Sequence, residues 1–152
     1  MAGITTVLPS AVNLNIMIIL GIDYGDVRTG VSVCDKTEFL ASPVTVITES
    51  YMPKLIDKII NIINDKKPEL IVVGLPKNMD GSFGFRAQAC TEFANTLSEK
   101  CGIQTVLWDE RLTSVIAHKQ LQLSGKREKK HKEIVDAAAA TEILQSYLDS
   151  RK

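Results

Sequence analysis

Positions 17–22 form a nearly unbroken apolar run, as expected of a strand buried on both faces. From 30 to 34 the pattern alternates, with Val31 and Val33 on one side and Ser32 and Cys34 on the other. Positions 40–47 supply a third strand, and Pro43 within it argues for a sheet edge. Short turns join the three, which predicts an antiparallel meander. The period then lengthens. Met52, Leu55, Ile56, Ile59, Ile60 and Ile63 fall on one face of an amphipathic helix, with Pro68 marking its exit. A second fully apolar strand at 70–74 leads through a Gly-Pro loop, 74–81, to a helix. The stripe of that helix is Ala89, Cys90, Phe93, Ala94 and Leu97, and Gly102 ends it. A fifth strand at 103–108 precedes a helix over 113–123 that Thr113 or Ser114 would cap. Residues 124–132 show no apolar period and read as a mobile loop, and a last helix spans 133–148.

The order βββ-α-β-α-β-α-α predicts an α/β fold. Its sheet is mixed and five-stranded, three antiparallel strands continued by parallel ones through right-handed crossovers, with helices on both faces. Ligands of such sheets gather beyond the carboxyl ends of the parallel strands.

The chain has 152 residues, enough for one domain with a real core, assigned to 17–150. Residues 1–16 read as an N-terminal extension or an expression remnant, with Met17 as the functional start. Lys plus Arg and Asp plus Glu each number 18, so net charge selects no class of partner. Cys34, Cys90 and Cys101 contain no CxxC pair, which disfavours zinc and a disulfide framework and suits reduced core thiols in the cytosol. No apolar run reaches the roughly 18 residues of a membrane span.

Acids stand where chemistry is expected. Asp23 ends the first strand, Asp109 and Glu110 end the fifth, and Asp136 heads an apolar face shared with Ala140, Ile143, Leu144 and Tyr147. The small residues 137–140 would let that helix approach the sheet and bring Asp136 towards the strand ends. Each acid alone has an ordinary role, as a turn bond, a helix-opening charge or an N-cap. Converging carboxylates, however, repel one another unless cations neutralise them, and hard ions such as Mg²⁺ take oxygen ligands. Two such ions activate water and stabilise the leaving oxygen in phosphodiester hydrolysis. That chemistry needs no histidine, and the chain has only His118 and His131.

Candidate substrate contacts surround these acids. Five of the seven residues 126–132 are basic, namely Lys126, Arg127, Lys129, Lys130 and Lys132, just before Asp136. Each phosphate they neutralise would add to the salt dependence of binding. Lys77, Asn78 and Arg86 flank Gly81 and Ser82 ahead of a helix N-terminus, which favours anions. Arg28 and Arg111 lie nearer the acids, where a guanidinium suits carboxylate or phosphate. Tyr24, Phe83 and Phe85 are the aromatics near the site and do not resemble a stacking platform, so base reading by stacking is not expected.

Four motifs together carry a resemblance. They are Gly21-Ile22-Asp23-Tyr24-Gly25 with Arg28 and Gly30, Gly74-Leu75-Pro76 with Met79-Asp80-Gly81-Ser82, Asp109-Glu110-Arg111-Leu112-Thr113, and Asp136 with Ala138-Ala139. In this order, over residues 17–148, the chain resembles the YqgF family of the RNase H-like, RuvC-type superfamily. The resemblance implies an RNase H-like fold and a cytoplasmic bacterial nuclease that trims the 5′ end of pre-16S ribosomal RNA in ribosome biogenesis. It implies catalytic and metal-binding roles for Asp23, Glu110 and Asp136, with Mg²⁺ or Mn²⁺ as cofactor. Asp109 matches the motif but should point opposite to Glu110. The partners expected are precursor ribosomal RNA and ribosomal particles, with no membrane, acting as monomer or homodimer.

Three other readings compete. A Holliday junction resolvase would keep the chemistry and act on branched DNA. An RNA-binding assembly factor would not use the acids. A phosphotransferase, suggested by the Asp-x-Gly turn of actin-like and sugar kinases, would need a second domain for which 152 residues leave no room.

Overall fold

A computed structural model describes residues 17–35, 40–78, 80–112 and 129–151, the side chains of 129–137 excepted. Its strands are β1 (Ile19–Asp23), β2 (Arg28–Cys34), β3 (Ala41–Thr48), β4 (Leu70–Leu75) and β5 (Thr105–Asp109). The helices are α1 (Met52–Lys66), α2 (Phe85–Cys101) and α3 (Lys129–Ser150). The sheet order is β3-β2-β1-β4-β5. β1 pairs antiparallel with β2 and parallel with β4, and β4 pairs parallel with β5. The expected mixed sheet is therefore present, with β1 at its centre and every residue of β1 buried. Pro43 lies on edge strand β3, where a register shift skips Val44 between the pairs Val31–Thr45 and Ser32–Pro43. A proline lacking an N–H is accommodated at such an edge bulge.

The two sheet faces carry separate cores. On one, Leu55, Ile56, Ile59 and Ile63 of α1 and Phe93, Ala94 and Leu97 of α2 meet Leu20, Ile22, Val31, Ile71 and Val73. On the other, Ala139, Ile143, Leu144 and Leu148 of α3 meet Ile19, Cys34, Leu70 and Val72. Burying each Leu, Ile or Phe contributes about 1.5–3 kcal/mol, so these stripes hold the layers together. Helix α1 ends on Lys67 in a left-handed conformation (φ 53°), its N–H donating to the Ile63 carbonyl, directly before Pro68. Gly102 (φ 72°) ends α2 as expected. The buried stripe of α2 includes Ala87, with Ala89 only partly covered.

Some boundaries differ from expectation. β1 starts at Ile19 rather than at 17 and β5 at Thr105 rather than at 103, while Asp23 and Asp109 end their strands as expected. Residues 129–132, read as loop, form the first turn of α3. A turn of Lys-Lys-His-Lys has no apolar residue through which a hydrophobic period could register, and Lys propagates a helix well. The helix expected over 113–123, residues 124–128 and the extension 1–16 lie outside the described residues.

Helix α3 crosses β1 unusually closely. A Cβ placed on Gly21 would fall 2.8 Å from the Leu144 Cβ, 3.2 Å from the Ala140 carbonyl oxygen and 2.5 Å from the Ser32 Oγ. The buried Ser32 hydroxyl donates to that same Ala140 carbonyl at 2.8 Å, fastening helix to sheet. Gly21→Ala should therefore destabilise the fold by about 1–3 kcal/mol through overpacking, read as a lowered midpoint in urea unfolding. An unchanged midpoint would mean that the helix is not seated on this glycine.

Candidate active site

Asp23 is the last residue of the central strand. Ile19 belongs to the α3-side core, and a side chain on Gly21 would meet Leu144 of α3. The alternation of a strand then places Asp23 on that face too, and it is only 6% exposed. The turn after it is tied to α2 at two points. The Tyr24 ring lies flat on Phe93, centroids 4.5 Å apart and planes at 11°, and burial raises the Tyr24 pKa, with Asp26 adding to the effect. Arg86 donates to the Tyr24 carbonyl at 3.2 Å and to the Asp26 carboxylate at 2.9 Å. Thr29 Oγ1 closes the turn, accepting from the Gly25 N–H at 3.4 Å and donating to the Gly25 carbonyl at 3.5 Å.

Glu110 opens the 3-10 turn Glu110–Leu112 that follows β5. It is 2% exposed, and its carboxylate lies over Gly74 of β4. A Cβ on Gly74 would fall 2.8 Å from Glu110 Oε2 and 2.5 Å from Ile143 Cδ1 of α3. Since β1 and β4 are in parallel register at Ile22–Val73, the next step along each strand sets Asp23 abreast of Gly74. The two acids thus converge on one face at the carboxyl end of adjacent strands. Gly74 entered the sequence reading only within the Gly74-Leu75-Pro76 motif and its loop, not as part of the acid site. Its signal was there, an isolated glycine in a buried strand, which marks the close approach of another group.

Asp109 behaves differently. Arg111 grips it with Nε at 3.1 Å from both carboxylate oxygens, Nη2 at 2.7 Å from Oδ2 and its backbone N–H at 2.9 Å from Oδ1. The Arg111 guanidinium holds the Asp109 carboxyl below its ordinary value and is itself raised by the pairing. Asp109, expected to point opposite to Glu110, is committed to Arg111, whereas Glu110 is buried over Gly74.

The position of Asp136 follows from the run of α3. Gln145 Oε1 accepts from the Ala41 N–H, which pairs with Cys34 beside the start of β1. The Ala140 carbonyl receives Ser32, which pairs with Gly21 further along β1. Decreasing residue number along α3 therefore leads towards Asp23, and the Asp136 backbone lies one turn beyond Ala140 in that direction. Its side chain lies outside the described residues.

The expected substrate contacts divide into several groups. Asn78 donates to Ser82 Oγ at 2.7 Å, Arg86 to Asp26 and Tyr24, and Arg111 to Asp109. Lys77 lies near enough to Asp109 to lower its pKa. Arg28 opens β2, and among the described residues its buried Nε has no hydrogen-bond partner. Lys126 and Arg127 lie outside the described residues. Lys129 and Lys130 begin α3, with side chains beyond description.

Two buried carboxylates side by side are unfavourable without a cation. The pair offers oxygen donors only, which fits a hard divalent ion that completes its shell with water and phosphate oxygens. Among the described residues no group of three His, Cys, Asp or Glu is placed to hold a metal ion.

Residues 17–150 match the RuvX family, described as Holliday junction resolvase. A candidate pre-16S rRNA nuclease of Clostridium tetani is 42% identical over 134 residues, covering 88% of this chain and 97% of that protein. Another of the same name, from Thermoanaerobacter pseudethanolicus, is 42% identical over 90% of this chain and 99% of its own length. Among solved structures, Thermus thermophilus RuvC in complex with Holliday junction substrate superposes with a TM-score of 0.58 at 14% identity, covering 89% of this chain and 95% of that one. The fowlpox virus Holliday junction resolvase gives 0.52 at 12% identity, with 90% and 100% covered. These structural likenesses, together with the observed topology, show an RNase H-like fold of the RuvC type.

The Asp109–Arg111 pair has a pH signature. Because the folded-state pKa of Asp109 lies below its ordinary 3.8, its contribution is present at neutral pH and is lost as pH falls from that value through the folded pKa. Asp109→Asn should therefore flatten the acid limb of thermal stability in that window and change little near pH 7. An acid limb identical to the parent's would remove the pair from the stability balance.

Proposed function

The chain belongs to the RuvX family, and we propose that it is a divalent-metal-dependent nuclease that processes the 5′ end of pre-16S rRNA in the cytoplasm during ribosome biogenesis. The observation that carries this reading is the burial of Asp23 and Glu110 on one face of the sheet, over Gly74. The substrate follows the names of the relatives that match almost from end to end.

Asp23, Glu110 and Asp136 would hold Mg²⁺ or Mn²⁺, which when bound supplies activation of a water and stabilisation of the leaving oxygen. The rest falls to the chain itself. α3 and the sheet exclude bulk water from the two carboxylates, so their charge acts in a poorly screened setting. The Tyr24–Phe93 stack and Arg86 hold the turn that carries Asp23, giving Arg86 a positioning role over its expected phosphate contact. Arg111 pairs with Asp109 while Glu110 is buried over Gly74, and Lys77 supplies positive charge beside Asp109. The unpartnered Nε of Arg28 suits a backbone phosphate. Lys126, Arg127, Lys129 and Lys130 extend the basic surface along the substrate, and ribosomal particles are the expected setting.

A second reading keeps these residues and substitutes branched DNA, in line with the family's description. A symmetric junction calls for two sites and hence a homodimer, whereas end trimming can proceed with one.

Asp23→Asn and Glu110→Gln should each lower cleavage of precursor rRNA by about a hundredfold or more while the circular dichroism and Tm stay close to the parent's. Asp109→Asn should retain most activity. A gel assay with Mg²⁺ or Mn²⁺, with excess chelator, and with a four-way DNA junction alongside decides among the readings. Full activity of Asp23→Asn, or in chelator, would refute the metal mechanism. Replacing Lys129 and Lys130 by Ala should weaken binding across sequences and reduce the salt slope by about one to two, and an unchanged slope would remove them from the binding surface.

A further inference from the structure

Nothing in the backbone requires a glycine at position 74. Gly74 pairs in register with Trp108 of β5, and among the described glycines a left-handed φ occurs only at Gly81 and Gly102. Glycine weakens a strand interior, so its presence in buried β4 points to what lies over it. Two side chains do. A Cβ at position 74 would meet Ile143 Cδ1 at 2.5 Å, Glu110 Oε2 at 2.8 Å and Glu110 Cγ at 3.1 Å. Trp108, the register partner of Gly74, stands two residues before Glu110. The Glu110 side chain therefore leaves the end of β5 and reaches across to the neighbouring strand, where only a hydrogen atom separates it from the Cα.

The two glycines beneath α3 differ in what an added methyl group would strike. At Gly21, besides the Ser32 hydroxyl, the obstacles are the Leu144 Cβ and the Ala140 carbonyl oxygen. Both are fixed to the helix backbone, so the helix itself would have to move. At Gly74 the two nearest atoms are the ends of flexible side chains, which can turn to another rotamer at modest cost to the fold. For Ile143 that movement matters little. For Glu110 it carries the carboxylate away from the face it shares with Asp23. A methyl group at position 74 is thus tolerable to the fold and intolerable to the site.

We propose that Gly74 is a positioning residue whose bare Cα seats the Glu110 carboxylate, fixing where that acid stands for the divalent ion. The proposal rests on the metal-dependent nuclease reading and deepens it. Gly74 acts through Glu110 alone, as residues that orient a metal-binding group do, and loss of such support weakens metal binding about 10–100-fold.

The test uses the full chain without substrate. Mn²⁺ affinity is read by electron paramagnetic resonance of the free ion, and Tm is measured in metal-free buffer. Gly74→Ala should weaken Mn²⁺ binding about tenfold or more while lowering Tm by only about 5 °C or less. Adding Ile143→Val removes the Cδ1 atom that the new methyl group meets, so it should recover Tm and leave Mn²⁺ binding weak. This pair is read in its own right if the single variant does not fold. Gly74→Ala combined with Glu110→Gln should bind Mn²⁺ no more weakly than Glu110→Gln alone, because both act on one carboxylate. Parental Mn²⁺ affinity in Gly74→Ala, recovery of affinity together with Tm, or additive losses with Glu110→Gln would each overturn the seat while leaving the nuclease reading intact. Absence of Mn²⁺ binding by the parent chain would overturn the metal reading and the seat together.

Discussion

The nearness of α3 to the middle of the sheet is the constraint on which the acid site depends. At Gly21 and Gly74 a single methyl group would already collide with Leu144 and Ile143. The buried Ser32 hydroxyl bonds a carbonyl of the helix. A buried hydroxyl without such a partner is costly, so the bond fixes which turn of α3 lies over which strand residue. Through that register the Asp136 backbone is carried to the end of β1, and Ile143 is placed against the glycine that Glu110 covers. The small residues of α3 and the glycines of the sheet are two halves of one steric requirement.

Electrostatics then divides the acids at the strand ends. Asp109 and Glu110 are adjacent in sequence, yet one is paired with Arg111 at the surface and the other is buried over β4. A paired carboxylate is stabilised in its ionised form and has little charge left to attract a cation. Glu110 and Asp23 are both buried towards one face of the sheet over Gly74, an oxygen-only set of donors of the kind a hard divalent ion takes. Arg86 serves the same arrangement from the other face, bonding the Tyr24 carbonyl and Asp26 so that the turn after Asp23 is referenced to α2. An exposed ion pair of this kind contributes little to stability, and its value lies in holding geometry.

Most of the fold was legible in the chain. Alternating and continuous apolar runs gave five strands in their observed order, the 3.6-residue period gave α1 and α2, and Pro43 and Gly102 marked an edge and a helix end. What escaped was local. Lys129 to Lys132 are helical although nothing apolar announces it, and β5 begins two residues later than its apolar run. For the site, the sequence offered Asp23 and Glu110 and motifs that resemble a known family. It gave no means of separating the basic residues free to meet phosphate from those engaged within the protein.

That separation is non-local. Arg86 reaches Asp26 across sixty positions of sequence. The same holds for Phe83 and Phe85, which by composition alone are two ordinary apolar residues and which the folded loop leaves exposed. Periodicity encodes which face of an element is apolar, and so the element order, the sheet and the end at which acids gather were already written in the chain. Partnership and exposure arise only when distant segments meet. The placement of Glu110 over Gly74, the reach of Arg86 to Asp26 and the outward turn of the two rings therefore came from packing, where steric fit and desolvation choose among side chains that look alike in sequence.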